Sequence, residues 1–478
     1  MNNDFYRKAD ATTIARLVCN EELRPEEVLS AAFDAIAASN SELNAVIRLY
    51  PQLAEAQLEA GLPRGPLCGV PVLLKDLGSP CKGTHTTFGS ALFADLARWE
   101  HDCALVSRLK RAGAVVIGRT NCCEFGISLS TEPQAFGRTH NPHAPDRSAG
   151  GSSGGAGAAV ASGMTSLALG TDGCGSLRVP ASHCGVFALK PSRGRISFAP
   201  DQAESWAGMT THGVLSRTVR DTALFLDVVS GPEPGDPYFV PAPALSFRQQ
   251  LETPPRKLRI GLVDCGPEGL HVHRECRSAV HGAGQLCLSL GHRVEPRPFS
   301  YRLEEVSQNL ATIWATQLWL LIAPQYEKMG RCVDGGGMEA DSWQLAQAAP
   351  ALRAVDHLAS IRYLHQSSRE LARLMHGVDV LLTPVAAAPA EPFGARKTAR
   401  GAIERIIDLL TAFPFTISAN IAGLPAMSVP LWQGEQRLPV GVQFIAPYGE
   451  EALLLGLAAQ LENVGPWQPA PGVGAPVL

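Results

Sequence analysis

Apolar positions recur at three- and four-residue spacing through DATTIARLVCNEELRPEEVLSAAFDAIAASN, which predicts helices over residues 10–60. The period then changes. GVPVLLK at 69–75 is a short, nearly continuous apolar run, the pattern of a buried strand ending on Lys75. RAGAVVIGRTN at 111–121 reads the same way. The small residues of AGAAVASGM suit a tightly packed helix, and the following LALGT suits a buried strand. VRDTALFLDVVSG at 219–231 predicts a helix, and the proline-rich GPEPGDPYFVPAPALS a surface excursion. Strand signals resume at KLRIGLVDCG (257–266), at DVLLTPV (379–385) and near the C-terminus. Strands alternating with helices predict an α/β fold, a single large α/β/α sandwich around a mixed β-sheet. No internal repeat is visible.

QNLATIWATQLWLLIAPQYEKMGR concentrates Trp314, Trp319, Tyr326 and Met329 ahead of a Gly-rich break at 335–337. An aromatic stripe at helical spacing serves a core as readily as a pocket. The two tryptophans lie five apart, so on a helix they point about 140° from one another. At most one therefore faces a site, and Trp319, next to the irregular segment, is the expected one.

Composition narrows the class. With 478 residues, 45% hydrophobic and 18% charged, the chain can bury a large core. A net charge of −4 argues against nucleic acid as a partner. No apolar run reaches the roughly 18 residues of a membrane span, and MNNDFYRKAD is too polar for a signal peptide. Twelve cysteines are scattered without metal-type pairing. The expectation is a cytoplasmic chain with reduced thiols, no metal and no cofactor.

The candidate chemistry lies in GGSSGGAGAAVASGMTSLALGTDGCGS at 150–176. Ser152 and Ser176 sit in separate glycine-rich turns, and the helix and strand between them bring the turns back to one end of a sheet. A P-loop is excluded, since no Lys follows Gly154–Gly155. The segment formally matches a nucleophile elbow centred on Ser153, but NPHAPDRSAG before it is polar and broken by two prolines, unlike a central strand. A flexible linker would not carry apolar helix and strand patterns directly after it. The remaining reading needs a base. Only eight of the 41 basic residues are Lys, yet Lys75 ends a buried strand. A strand-end lysine is ordinarily a solvated charge, but burial would disfavour its ammonium and free the amine to accept a proton. A lysine, a relay serine and a nucleophilic serine suffice for acyl transfer.

At these residues the chain resembles the amidase signature family. The likeness rests on GVPVLLKDL, on RTNCCEFGISLSTEPQAFGRTHNP at 119–142, and on AGGSSGG and LALGTDGCGSLRVPASHCGVFALKPSRGRIS within 149–197. ANIAGLPAMSVP at 419–430 and PVGVQFIAP at 439–447 also match. The resemblance implies Lys75 as general base, Ser152 after a cis peptide as bridging serine, and Ser176 as nucleophile. It implies an oxyanion hole from the N–H groups of Gly173, Cys174, Gly175 and Ser176, with Ser153, Asp172 and Arg178 holding the loops. The family usually carries Gly where this chain has Cys174. His183 is read as structural. Gly126, Ser128 and Trp319 are the expected pocket residues.

One domain, 1–478, is expected: a helical segment at 1–65, a catalytic core at 66–230 and a variable, substrate-facing segment at 300–350. TDG and KPSRGR resemble the branch acting on aryl amides and cyclic nylon dimers. The implied activity is hydrolysis of a small or medium, largely apolar amide, carbamates included, by a monomer or homodimer. The alternatives are the glutaminase subunit of a tRNA-dependent amidotransferase, whose characteristic Asp is replaced near Phe413, and an inactive binding homologue.

Overall fold

The computed structural model describes residues 1–474 except 97, 254, 396–400, 466 and 468. In chain order the strands are β1 (Val46–Leu49), β2 (Pro71–Lys75), β3 (Val115–Thr120), β4 (His140–Asn141), β5 (Ala144–Ser148), β6 (Leu167–Asp172) and β7 (Phe187–Lys190). There follow β8 (Thr211–Ser216), β9 (Arg259–Leu262), β10 (Arg293–Pro296), β11 (Val380–Pro384), β12 (Ala426–Gln433) and β13 (Pro439–Ile445). Eleven of them form one sheet in the order β1-β3-β2-β6-β8-β7-β12-β13-β11-β9-β10.

The sheet is mixed, as the alternation of elements predicts. β3, β2 and β6 run parallel, as do β11, β9 and β10, while the strands from β6 through β8, β7, β12 and β13 to β11 pair antiparallel. Every residue of β2, β3, β6, β7, β8, β11 and β13 is buried. Such strands have both faces covered, which is why they read as apolar runs rather than alternating ones.

Two local patterns differ from expectation. The helical stretch 10–60 is interrupted by β1, which lies at the sheet edge antiparallel to β3. The polar, proline-broken segment before Ser152 holds β5, which pairs with β4 in a two-stranded ribbon outside the main sheet and makes an isolated bridge from Arg147 to Pro392. A ribbon tolerates prolines because few of its N–H groups are needed for pairing.

Three features place the site. β2 and β6 are parallel neighbours, so Lys75 and Asp172 end at the same edge of the sheet. Between them the helix Gly154–Ala161 is buried on every face. Its small residues make that possible: a Cβ on Gly155 would stand 2.5 Å from the Asn121 nitrogen. The helix Leu303–Lys328 and the shorter Ala340–Ala346 cover a second, smaller apolar cluster containing Leu92, Phe93, Phe125, Leu318, Ile322 and Tyr326.

Candidate active site

Lys75 is fully buried at the end of β2. Its Nζ donates to Ser152 Oγ at 2.6 Å and to Thr171 Oγ1 at 2.9 Å. Among the described residues it takes part in no ion pair. Burial therefore pulls its pKa below the usual lysine value, and the nearby Cys122, Cys123 and Asp172 offset that only in part. His212, beside it on β8, is pushed down to about 3 by burial and by the charge of Lys75. Arg119 fixes the strand end, donating to the Lys75 carbonyl at 2.7 Å and to the Ser79 carbonyl at 2.8 Å.

The Gly151–Ser152 peptide is cis. The turn around it has no room for side chains at its glycines. A Cβ on Gly150 would stand 2.8 Å from Pro180 Cα, and one on Gly151 would stand 2.7 Å from the Leu129 and Ser130 backbone. Ser153, the alternative nucleophile, is fully buried, and its hydroxyl donates to the Thr171 carbonyl at 3.3 Å. Its N–H donates to the Ser176 carbonyl at 3.3 Å, which fastens one serine turn to the other. Ser176 is 3% exposed. Among the described residues no hydrogen bond joins the Ser152 and Ser176 hydroxyls. Gly126 faces this corner: a Cβ there would lie 3.5 Å from Ser152 Oγ.

The loop after β6 is organised by one buried ion pair. Arg178 uses its whole guanidinium, donating twice to Asp172 (2.9 and 2.7 Å), and to the Thr416 carbonyl, Gln443 Oε1 and Asn420 Oδ1. Asp172 also accepts the N–H groups of Gly175 at 2.8 Å and Leu177 at 3.1 Å. Burial alone would raise the Asp172 pKa, but Arg178 outweighs it and holds the carboxyl well below the usual range. Asp172 and Arg178 thus hold this loop, from a position the sequence pointed to.

Gly175 requires a correction. Its N–H, expected among the donors to an oxyanion, is already given to Asp172. Its φ of +128° suits glycine, so its part is to turn the chain. The N–H groups of Gly173, Cys174 and Ser176 accept no such commitment among the described residues. Cys174 is buried within the main apolar cluster, where burial pushes its thiol pKa far up, and it is not among the residues that line the cavity beside the turns.

Beside the serine turns lies a cavity of about 370 Å³. Ile127, Leu129, Trp314, Leu345, Leu409 and Phe413 make up the apolar part of its lining, while Ser128, His183, Arg405 and the carboxylates of Glu124, Glu132, Glu339, Asp341, Glu391 and Asp408 make up a polar, mostly acidic part. Trp314 lines it and Trp319 does not; Trp319 packs partly buried against the apolar clusters. Helix geometry allows one of the two inward, and the cavity lies on the side of Trp314. The Trp314 ring stands 4.8 Å from that of Trp206, which in turn covers Gly173: a Cβ there would meet Trp206 Cε3 at 2.8 Å. Trp206 holds a φ of +53°, an unusual conformation for so bulky a residue, and nothing in its neighbouring sequence signals it. A larger open groove, between Arg108, Arg111 and Arg248, contains none of these residues.

Among the described residues no three His, Cys, Asp or Glu side chains are grouped to hold a metal ion. No helix there is long and apolar enough to cross a membrane.

An eleven-stranded mixed sheet with a buried lysine and two glycine-borne serines at one edge is the architecture of an amidohydrolase. The family model Amidase matches residues 27–455. The chain is 37% identical, over 470 residues, to the 6-aminohexanoate-cyclic-dimer hydrolase of Paenarthrobacter ureafaciens, covering 96% of this chain and 95% of that protein. A solved structure of 6-aminohexanoate cyclic dimer hydrolase complexed with substrate is similar with a TM-score of 0.88 and 34% identity, over 96% of this chain and 98% of the other. A bacterial aryl acylamidase of the amidase signature family gives 0.86 and 26%, over 96% and 97%. The chain belongs to the amidase signature family, whose resemblance its central motifs carry. It is a hydrolase of C–N bonds other than peptide bonds.

Proposed function

We propose that this chain hydrolyses a medium-sized, largely apolar carboxylic amide, cyclic amides and carbamates included, through an acyl-enzyme on Ser176. The observation that carries this reading is the buried Lys75 amine, 2.6 Å from the Ser152 hydroxyl and without an ion-pair partner among the described residues. Neutral Lys75 takes the proton of Ser152 as Ser152 takes that of Ser176, and Ser176 Oγ attacks the amide carbon. The hydroxyl contact between the serines closes on substrate, as catalytic hydrogen bonds commonly do. The N–H groups of Gly173, Cys174 and Ser176 receive the oxyanion. The tetrahedral adduct collapses with cleavage of the C–N bond, and the proton held on Lys75 returns through Ser152 to the leaving nitrogen. Water then attacks the ester by the same route, releasing the acid and restoring Ser176.

Substrate class follows from the cavity and the relatives. Trp314, Phe413 and the aliphatic side chains of the lining favour an apolar acyl or amine group, and two relatives are named as 6-aminohexanoate-cyclic-dimer hydrolases. Phe413 lines the wall near the place where an amidotransferase subunit would carry an Asp for glutamine. We place the enzyme in the cytoplasm, as a monomer or homodimer.

The purified chain is to be treated with a fluorophosphonate, mapped by peptide mass, and assayed on 6-aminohexanoate cyclic dimer, aryl anilides, alkyl amides, carbamates and glutamine. A label on Ser176 with turnover of apolar amides is expected. A label on Ser153, or turnover of glutamine alone, would overturn the reading.

A further inference from the structure

We infer that Thr416, 240 positions beyond the nucleophile, is a positioning residue that keeps the Cys174–Gly175 peptide in the one orientation compatible with an oxyanion. The inference rests on Ser176 being the nucleophile. Both polar atoms of this peptide unit are engaged: the Cys174 carbonyl accepts from Thr416 Oγ1 at 2.6 Å, and the Gly175 N–H donates to Asp172 Oδ1 at 2.8 Å. These two bonds turn the peptide away from the site on both of its polar edges, while the N–H groups on either side, of Cys174 and Ser176, stay uncommitted.

The peptide needs such a latch because it borders the flexible Gly175, whose φ of +128° offers little steric resistance to rotation. A flipped peptide would aim the Cys174 carbonyl oxygen toward the place where negative charge develops, turning a stabilising site into a repelling one.

Thr416 is itself held without slack. It is fully buried at the start of the helix Thr416–Ile421, and its carbonyl accepts from Arg178 Nη1 at 2.8 Å. Its hydroxyl also reaches the carbonyl of Phe413, in the cavity wall, at 3.3 Å. A Cβ on Gly175 would stand 2.6 Å from Thr416 Oγ1, so the contact leaves no room for an intervening group. Loop and cavity wall therefore meet at the Thr416 hydroxyl, and the buried ion pair meets the same residue at its carbonyl.

The test compares wild type, Thr416→Val, which replaces the hydroxyl by a methyl of similar size, and Thr416→Ser, which keeps it. Steady-state kinetics on an apolar amide are read beside the affinity for an aldehyde analogue that forms a tetrahedral adduct on Ser176, and for an analogue lacking the carbonyl. Thr416→Val should lose about 10–100-fold in kcat with KM nearly unchanged. Aldehyde affinity should fall in parallel, while affinity for the carbonyl-free analogue and the shape of the pH profile should hold. Thr416→Ser should recover most of the rate. Unchanged kcat in Thr416→Val, equal losses for both analogues, or no recovery in Thr416→Ser would overturn the inference. If the Val variant does not fold, Thr416→Ala is put through the same comparison. Fluorophosphonate labelling of the wild type separates the two levels: no adduct on Ser176 overturns the nucleophile reading itself, whereas an adduct with an unaffected variant overturns only the role of Thr416.

Discussion

The serine turns and the cavity wall stand side by side but are held by different forces. The loop from Asp172 to Arg178 is fixed by directional bonds: five donors of one guanidinium, two backbone N–H groups on one carboxylate, a threonine on one carbonyl. The apolar part of the cavity lining, where Trp314 of Leu303–Lys328 stands 4.8 Å from Trp206 and beside Leu345, Leu409 and Phe413, is held by apolar contact. Hydrogen bonds fail abruptly when geometry shifts, whereas apolar contacts degrade by increments. The region proposed for bond breaking is therefore the one that tolerates least change, and the region proposed for substrate choice can vary by small steps.

Changes on the bonded side should be the largest. Lys75→Ala should lower kcat by roughly 10²–10⁴-fold with little rise in KM, because a base acts in the transition state. In the wild type kcat/KM should climb with pH as Lys75 loses its proton, along a limb that lies below the usual lysine pKa because burial lowers it. The variant should lose that limb. A near-normal kcat in Lys75→Ala would place the bonded region outside the chemistry.

Arg178→Met should leave Asp172 buried without its counter-charge and cost about 3–5 kcal/mol of stability. Urea denaturation would read this as a lower midpoint. Because the folded-state pKa of Asp172 is depressed, its stabilisation is fully present above the ordinary value of 3.8 and is lost as pH falls through the lower folded value. The wild type should thus keep this contribution through mildly acidic pH. A midpoint unmoved in the variant would show that the loop is held by packing instead.

On the apolar side the effect should be smaller and selective. Trp314→Ala should raise KM for bulky amides by an amount worth about 1–3 kcal/mol, leaving small amides nearly unaffected. Trp319→Ala should lower stability without changing the ranking of substrates. The reverse pattern would move the pocket to the other face of the helix.

Cys174→Gly should show least. Cys174 is buried in the apolar cluster and does not line the cavity, so turnover should persist and the substrate ranking should not shift, while melting temperature drops modestly through lost packing. Loss of turnover in a folded Cys174→Gly protein would mean that the side chain governs the loop.

Much of this was legible along the chain. GVPVLLK announced a strand buried on both faces, and β2 is buried at every residue. The glycines at 150–151 announced a turn, and the Pro180 and Leu129 contacts show that the turn has no room for side chains. β1 was hidden because a four-residue edge strand is too short for its period to outweigh the helices around it.

Local sequence determined the strands, the glycine turns and the residue types able to move a proton, since each depends on near neighbours and backbone sterics. Only tertiary structure decided which of Trp314 and Trp319 meets the cavity, that Trp206 lies over Gly173, and that Thr416, Asn420 and Gln443 return from the far half of the chain to hold the loop after β6. The contacts of Thr416, Asn420 and Gln443 join residues more than two hundred positions apart, and no periodicity records them. They form because a buried guanidinium and a buried carbonyl must find partners somewhere in the fold.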